Sequence, residues 1–451
     1  MLLAVVGADA LVHTARRQAA LSAAGRARAS AAMILLALPL LLLALFPPLA
    51  FDETLYHLPI VRALATSGKL QFLADLRFPA FPQLHELLCV PLFKIGGDVA
   101  THLVSLIEVA IAAVLLYEWG GILAAAFFLG SPIVLHLATI TYVEAALMLF
   151  VTAGFYCLER GNYALSGFFF GTACSVKYLG GYFAIAALII VLLRSRKSAL
   201  TFAAFCAAAA LPTTLWLIAT TGNPVFPFFG SSLWAMSLPH ATWRTLLVPW
   251  DVTFARAHVN FEPPFTPLLI AMIALVRTRW VALVCAGYLI AFAFLPQDSR
   301  YLVPLLPLLS IAAAATSAKH ARWLAWIAIA PGVFYLAYRF AVDGLPPMTV
   351  AAREAFLTKR IPEYAALRRA DGRVYVCGGE QLKYYARGEL LGDFVGPYSY
   401  DRVQDPSRIH AQYFLVAKRA CPQPPSTEGM DLIYEDAGAQ LWRVHGSQSA
   451  P

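Results

Sequence analysis

Charge is the first thing this chain lacks. Only 13% of its 451 residues are Asp, Glu, Lys or Arg, while 60% are hydrophobic, and its mean hydropathy is +0.66. No soluble domain of ordinary composition is so poor in charge. Metal-type cysteine spacing is missing too: Cys89, Cys157, Cys174, Cys206 and Cys285 lie singly in apolar or membrane-adjacent sequence. There is no nucleotide-binding fingerprint, since Gly378-Gly379 follows a strand-like run without completing GxGxxG. No internal repeat is visible, which counts against the paired broken helices of a transporter.

What stands in place of charge is a series of apolar runs of bilayer-spanning length, recurring from Ala31 to Phe340. These define a polytopic membrane protein. The net charge of +8 would suit a nucleic-acid partner, but the placement of the basic residues argues for none. Arg16, Arg17, Arg26 and Arg28 precede the first long run. Arg160, Arg194–Lys197, Arg277–Arg279 and Lys319–Arg322 occupy later short loops. Facing all of these to the cytoplasm satisfies the positive-inside rule and leaves about eleven spans. The alternate loops, beginning near Asp52, Thr139, Lys177, Gly222, Gln297 and Asp343, then face outward. The stretch Met1–Val12 is too short to span and lacks the order of a cleaved signal, and a translation start inside a longer frame would account for it.

Three parts follow: a cytoplasmic segment 1–30, a transmembrane catalytic domain 31–342, and a small extracytoplasmic α/β domain 343–451. In the last, Val350–Arg369 reads as a helix, and Arg373–Cys377, Gln412–Ala417 and Gln440–Val444 read as strands. Cys377 and Cys421 are its only cysteines, and an oxidising compartment predicts that they pair.

The first outward segment, Asp52 to about Val99, carries the most informative residues. Phe51-Asp-Glu-Thr-Leu-Tyr-His-Leu-Pro59 places two carboxylates, a tyrosine and a histidine where a hydrophobic helix leaves the bilayer. Acidic groups cost roughly 2.5–3.5 kcal/mol at the centre of a membrane helix and persist there for a function. Asp52–Tyr56 and Glu53–His57 have i,i+4 spacing, predicting two polar pairs. The bland alternative makes Asp52 a helix N-cap. Ile60–Gly68 and the stretch from Phe78 read as helices lying in the interface.

Further candidates lie at later outward turns. Thr141-Tyr-Val-Glu144 fits a capping box, which competes with a catalytic role for Glu144. Arg300 sits in a helix first turn, where a cation is disfavoured unless an anion is near, and a salt bridge to Asp298 is the plain alternative. Lys177 either snorkels to the interface or meets an anion. Arg62 is either solvated or a third phosphate-binding cation. His57, His85, Glu86 and His102 lack diagnostic metal spacing, so a divalent metal is not expected as a cofactor.

Taken together, Asp52–Pro59, Tyr142-Val-Glu144, Gly222-Asn-Pro-Val-Phe-Pro227 and Arg300-Tyr-Leu-Val-Pro-Leu-Leu-Pro307 resemble GT-C glycosyltransferases. The likeness is to bacterial relatives of protein O-mannosyltransferases, lipid A aminoarabinose transferases and rhizobial lipopolysaccharide sugar transferases. It covers roughly Ala31 to Ala315; the second acid is glutamate where family members often carry aspartate. The resemblance implies a multi-pass inner-membrane enzyme with an extracytoplasmic site. It implies a polyprenyl-phosphate sugar donor and an envelope lipid, glycan or protein as acceptor.

In that setting Asp52 is expected to act as catalytic base for inverting displacement, with Glu144 as the second catalytic acid. Arg300, Lys177 and Arg62 would bind the donor phosphate. Glu53, Tyr56, His57, His85, Glu86 and Tyr301 would contact substrate. Asp52 is expected several ångströms from Arg300 and Lys177, leaving room for a sugar. The competing reading is a flippase for a lipid-linked glycan, which predicts ionisable groups at the bilayer midplane rather than at the outer ends of spans.

Overall fold

The computed structural model describes residues 37–236, 242–259, 263–317, 321–392 and 396–445. The segment 1–30, read as cytoplasmic, lies outside the described residues. Among the described residues, four helices are long and apolar enough to cross a membrane: Leu84–Leu129, Arg196–Thr221, Ser299–Ser317 and Trp323–Asp343. Three shorter apolar helices, Tyr163–Val176, Gly180–Arg194 and Arg279–Phe292, join them.

The longest of these is not continuous. Gly97 and Gly121 take left-handed φ values of 71° and 75° and break it into three pieces. The piece before Gly97 spans only about 20 Å at 1.5 Å per residue, too short to cross a hydrocarbon core. Elsewhere, close helix packing rests on small residues. Gly167 and Gly171, four apart on Tyr163–Val176, bring that helix against the Phe202 and Cys206 backbones. A Cβ at either glycine would lie 2.1 Å from a carbonyl oxygen.

The C-terminal part carries a five-stranded mixed sheet in the order β2-β1-β3-β5-β4. Its strands are β1 (Val374–Cys377), β2 (Leu390–Leu391), β3 (Tyr413–Ala417), β4 (Met430–Glu435) and β5 (Ala439–Val444). Alternation along β1 explains its total burial. Val374 and Val376 pack with Leu357, Tyr364 and Leu367, while Tyr375 and Cys377 pack with Phe414 and Val416 on the other face. Cys377 and Cys421 form the expected disulfide, with Cα atoms 5.7 Å apart.

This sheet domain is docked on the stretch between Phe46 and Asp98. The Arg62 guanidinium donates to the Tyr384 carbonyl at 2.8 Å and lies 4.1 Å over the Tyr384 ring. Tyr385 donates to the Pro48 carbonyl, Arg353 pairs with Asp98, and Phe356 packs 5.4 Å from Phe46. The contacts bring the domain to the same end of the helical part as the residues described next.

Candidate active site

The residues that open the first outward segment form one wide helical turn, Glu53–His57, running into the helix Leu58–Ser67. Asp52 precedes it, and its side chain caps nothing. Instead, Tyr56 donates its hydroxyl to Asp52 Oδ2 at 2.9 Å, as the i,i+4 spacing predicts. Arg300 brings its Nη2 to the same oxygen at 2.6 Å. From the backbone side, the Asp52 N–H donates to the Tyr142 hydroxyl. Burial alone would raise the Asp52 carboxyl, but Arg300, His57 and the Tyr56 hydroxyl outweigh it and lower it to about 2.

Arg300 is only 9% exposed, and three carboxylates surround it. Besides Asp52, its Nε donates to Asp298 at 2.6 Å and lies 3.9 Å from Glu144. Asp298 also caps the Arg300 N–H, so the predicted pairing with Asp298 exists, though not alone. The expected gap between Asp52 and Arg300 is therefore absent. A guanidinium this deeply buried is held where carboxylates compensate its lost hydration, and Asp52 is one of them.

Glu144 opens the helix Glu144–Glu159. It makes no capping box with Thr141; its Oε1 accepts from Lys177 Nζ at 2.6 Å. The Thr141 N–H goes instead to Glu53 Oε1 at 2.7 Å. Lys177, 21% exposed, also lies 4.0 Å from the Tyr301 ring centre.

Glu53 does not pair with His57, contrary to the spacing argument. It is fully buried, and stronger donors reach it first: His102 Nε2 at 2.7 Å, the Thr141 N–H, and the Ala50 N–H. Burial would raise this carboxyl, but His102 and these N–H groups lower it. His102 Nδ1 faces the Ala44 carbonyl, an acceptor only, so Nδ1 carries a proton. His57 pairs with Glu86 at 2.5 Å, and His85 with Glu108 at 3.2 Å. Each histidine thus has its own carboxylate, and among the described residues no three such groups are placed to share a metal.

Asp52, Glu53, Tyr56, His57, Lys177, Arg300 and Tyr301 all line one cavity of about 1170 Å³. His85, Glu86 and Arg62 do not: the first two are fully buried behind it, and Arg62 is spent on Tyr384. Sequence reasoning overlooked Tyr142, whose ring lies 4.8 Å from the Arg300 guanidinium, and the far wall formed by the helix Ala321–Asp343 and Arg360. The signal for Tyr142 was its place between Thr141 and Glu144.

The family described as SF2091/S2213 matches residues 352–435, within the C-terminal part. No curated protein sequence matches the chain. Two solved structures share its fold. One is ArnT from Cupriavidus metallidurans in the apo state, with TM-score 0.60 and 13% identity over 92% of this chain and 98% of that one. The other is ArnT from Cupriavidus metallidurans bound to undecaprenyl phosphate, with TM-score 0.58 and 12% identity over 95% and 100%.

Proposed function

The chain has the GT-C fold, that of ArnT, and from this premise we propose that it is a membrane glycosyltransferase. In this reading it moves a sugar from a polyprenyl-phosphate donor to an envelope lipid, glycan or protein on the extracytoplasmic face of the inner membrane. About eleven crossings, the shorter helices included, carry a catalytic domain ending near residue 342, with the sheet domain outside. The observation that carries the reading is the ion pair of Asp52 with Arg300 in a large cavity. The undecaprenyl phosphate named for the ArnT structure supplies the donor class.

Asp52 is the base that takes the proton of the acceptor hydroxyl as it attacks the anomeric carbon with inversion. Lys177 and Arg300 stabilise the charge that develops on the leaving phosphate, a task for which guanidinium and ammonium groups are suited. The direct contact between Arg300 and Asp52 adds a coupling. A phosphate reaching Arg300 competes with Asp52 for the same guanidinium edge. Donor binding thereby loosens the interaction that keeps Asp52 a weak base, and proton transfer becomes easier once the donor is in place. Glu144 holds Lys177 toward the cavity, and Tyr56 and Tyr142 fix the Asp52 loop.

The test is reconstitution of the purified full-length protein in liposomes with a radiolabelled polyprenyl-phosphate sugar and an envelope extract. Release of free polyprenyl phosphate together with labelled acceptor is the expected result. Membrane passage of the lipid-linked sugar without cleavage would replace this reading with the flippase. Cysteine labelling that put residues 222–236 in the cytoplasm would refute the proposed facing.

A further inference from the structure

The cavity that holds Asp52 has a second charged wall. Arg339 lies one turn before the end of the helix Ala321–Asp343, and Arg360 ends the helix Val350–Arg360 of the C-terminal part. Both line the cavity, together with Asp343 and His136. Arg339 donates its Nε to Asp343 at 2.7 Å and its Nη1 to the Tyr335 hydroxyl at 3.0 Å, and it lies 3.3 Å from His136 Nδ1. Arg360 pairs with the same Asp343.

The balance of charge differs between the walls. Around Asp52, three carboxylates (Asp52, Glu144, Asp298) meet three cations, Lys177, Arg300 and Arg77, so that wall is close to balanced. At the second wall, two guanidinium groups share one carboxylate, which leaves a positive charge in a cavity otherwise rich in apolar side chains. Excess charge of that kind, at low local dielectric, favours an anion strongly. Guanidinium forks suit phosphate and carboxylate in particular. The plain alternative, Arg339 completing its helix C-terminus and snorkelling to the interface, leaves Arg360 unexplained, since it reaches the same spot from another domain.

Volume agrees with a second occupant. The cavity of about 1170 Å³ exceeds the usual range for a single small ligand, roughly 300–1,000 Å³. A leaving phosphate must lie within one sugar of Asp52, where Lys177 and Arg300 already stand. Among the described residues, neither Arg339 nor Arg360 is ion-paired with Asp52, Glu144 or Asp298.

We propose that Arg339 and Arg360 form a second anion site that holds a phosphate or carboxylate group of the acceptor while its hydroxyl meets Asp52. The word acceptor rests on the transferase reading above; the anion site itself does not. The site also gives the C-terminal domain a part in substrate binding, because Arg360 belongs to it.

Inorganic phosphate is the first probe, titrated by phosphorus NMR into full-length protein in phosphatidylcholine nanodiscs saturated with undecaprenyl phosphate. The expected result is one further phosphate bound, weakened at least about tenfold in Arg339→Gln and in Arg360→Gln, with undecaprenyl phosphate affinity unchanged. Arg360→Gln keeps the test valid if Arg339→Gln fails to fold, because its side chain is about one-third exposed. Acetate in the same titration tests the carboxylate case. Wild-type-like phosphate binding by both variants would overturn the proposal. Loss of phosphate binding on saturation with undecaprenyl phosphate would also do so, by assigning both walls to one donor. Loss in phosphatidylglycerol nanodiscs would give the site to a membrane headgroup and overturn the acceptor assignment. Intact second-site binding without any sugar transfer would refute the transferase reading instead and leave the anion site standing.

Discussion

The two acids at the start of the first outward segment have the same functional group and opposite circumstances. On one side of the turn, Asp52 shares its carboxylate with a tyrosine hydroxyl and a guanidinium at the wall of a large cavity. On the other, both oxygens of Glu53 are taken by a histidine and two backbone N–H groups drawn from three parts of the chain. In the proposed mechanism Arg300 exchanges Asp52 for the donor phosphate, while the partners of Glu53 have nowhere else to go. A carboxylate with a replaceable partner can do chemistry, and one whose partners are all structural holds the fold. The difference is sharp enough to be broken by single substitutions.

The largest effect is expected from Asp52→Asn. The amide keeps the shape and the Tyr56 contact, yet it cannot take a proton, so transfer should fall about 10³-fold, with a smaller fall in melting temperature because Asp298 and Glu144 still face Arg300. Initial-rate measurement beside a melting curve checks both halves. A variant that melts far below the wild type would make Asp52 a structural residue like its neighbour.

Glu53→Gln should do the reverse. It removes the carboxylate that faces His102 in a dry interior, and breaking a buried pair of this kind costs about 3–5 kcal/mol. The expected readout is a large fall in melting temperature, with residual enzyme retaining its KM for donor. Normal stability with lost turnover would move Glu53 into the chemistry.

Smaller is the effect of Arg300→Lys, which keeps the charge and loses the fork that joins Asp52 to Asp298. Donor KM should rise roughly tenfold, since one of two directed contacts to a phosphate is lost. Equal kinetics for Lys and Arg at this position would show that only its charge matters.

The subtlest expectation concerns pH. The Asp52 carboxyl is lowered from 3.8 to about 2, so its ionised form is the one the fold favours. Stability from its pairing is complete above about pH 4 and is lost as pH falls through about 2. Between pH 7 and 4 an infrared carboxylate band assigned by Asp52→Asn should stay constant. In Arg300→Gln the same band should titrate at higher pH, because the first attraction that offsets burial has gone. No change in that variant would mean that Tyr56 and His57 suffice.

Much of this arrangement was legible in the chain. The Asp52–Tyr56 contact follows from helical spacing, and β1, β3 and β5 follow from alternation and β-branched residues. Cys377 and Cys421 were the only cysteines available to each other in their domain. What was hidden depended on partners far away in sequence. Glu53 was assigned to His57 by local geometry, but its donors are 49 and 88 residues distant. Thr141-Tyr-Val-Glu144 fits a capping box locally, and a half-buried lysine 33 residues on outbid the backbone for the glutamate. β4 was missed because Leu432-Ile433-Tyr434 does not alternate; it forms an exposed edge, and its register slips between Leu432 and Tyr434. Arg62 looked like a cation bound for the cavity, and only the fold revealed the Tyr384 ring above it.

The docking of Arg62 on Tyr384 has a consequence in time. The two residues are 322 positions apart, so a ribosome working at roughly 5–20 residues per second needs about 15–65 seconds to supply the second after the first. During that interval the loop bearing Asp52 is already made, while Tyr384, Tyr385 and Arg353, which brace it, have not been. The nascent loop must wait at the membrane surface with Arg62 and Asp98 unsatisfied. A protease present during synthesis on the side of the membrane that bears this segment should therefore cut it far more readily than the same protease added to the finished chain.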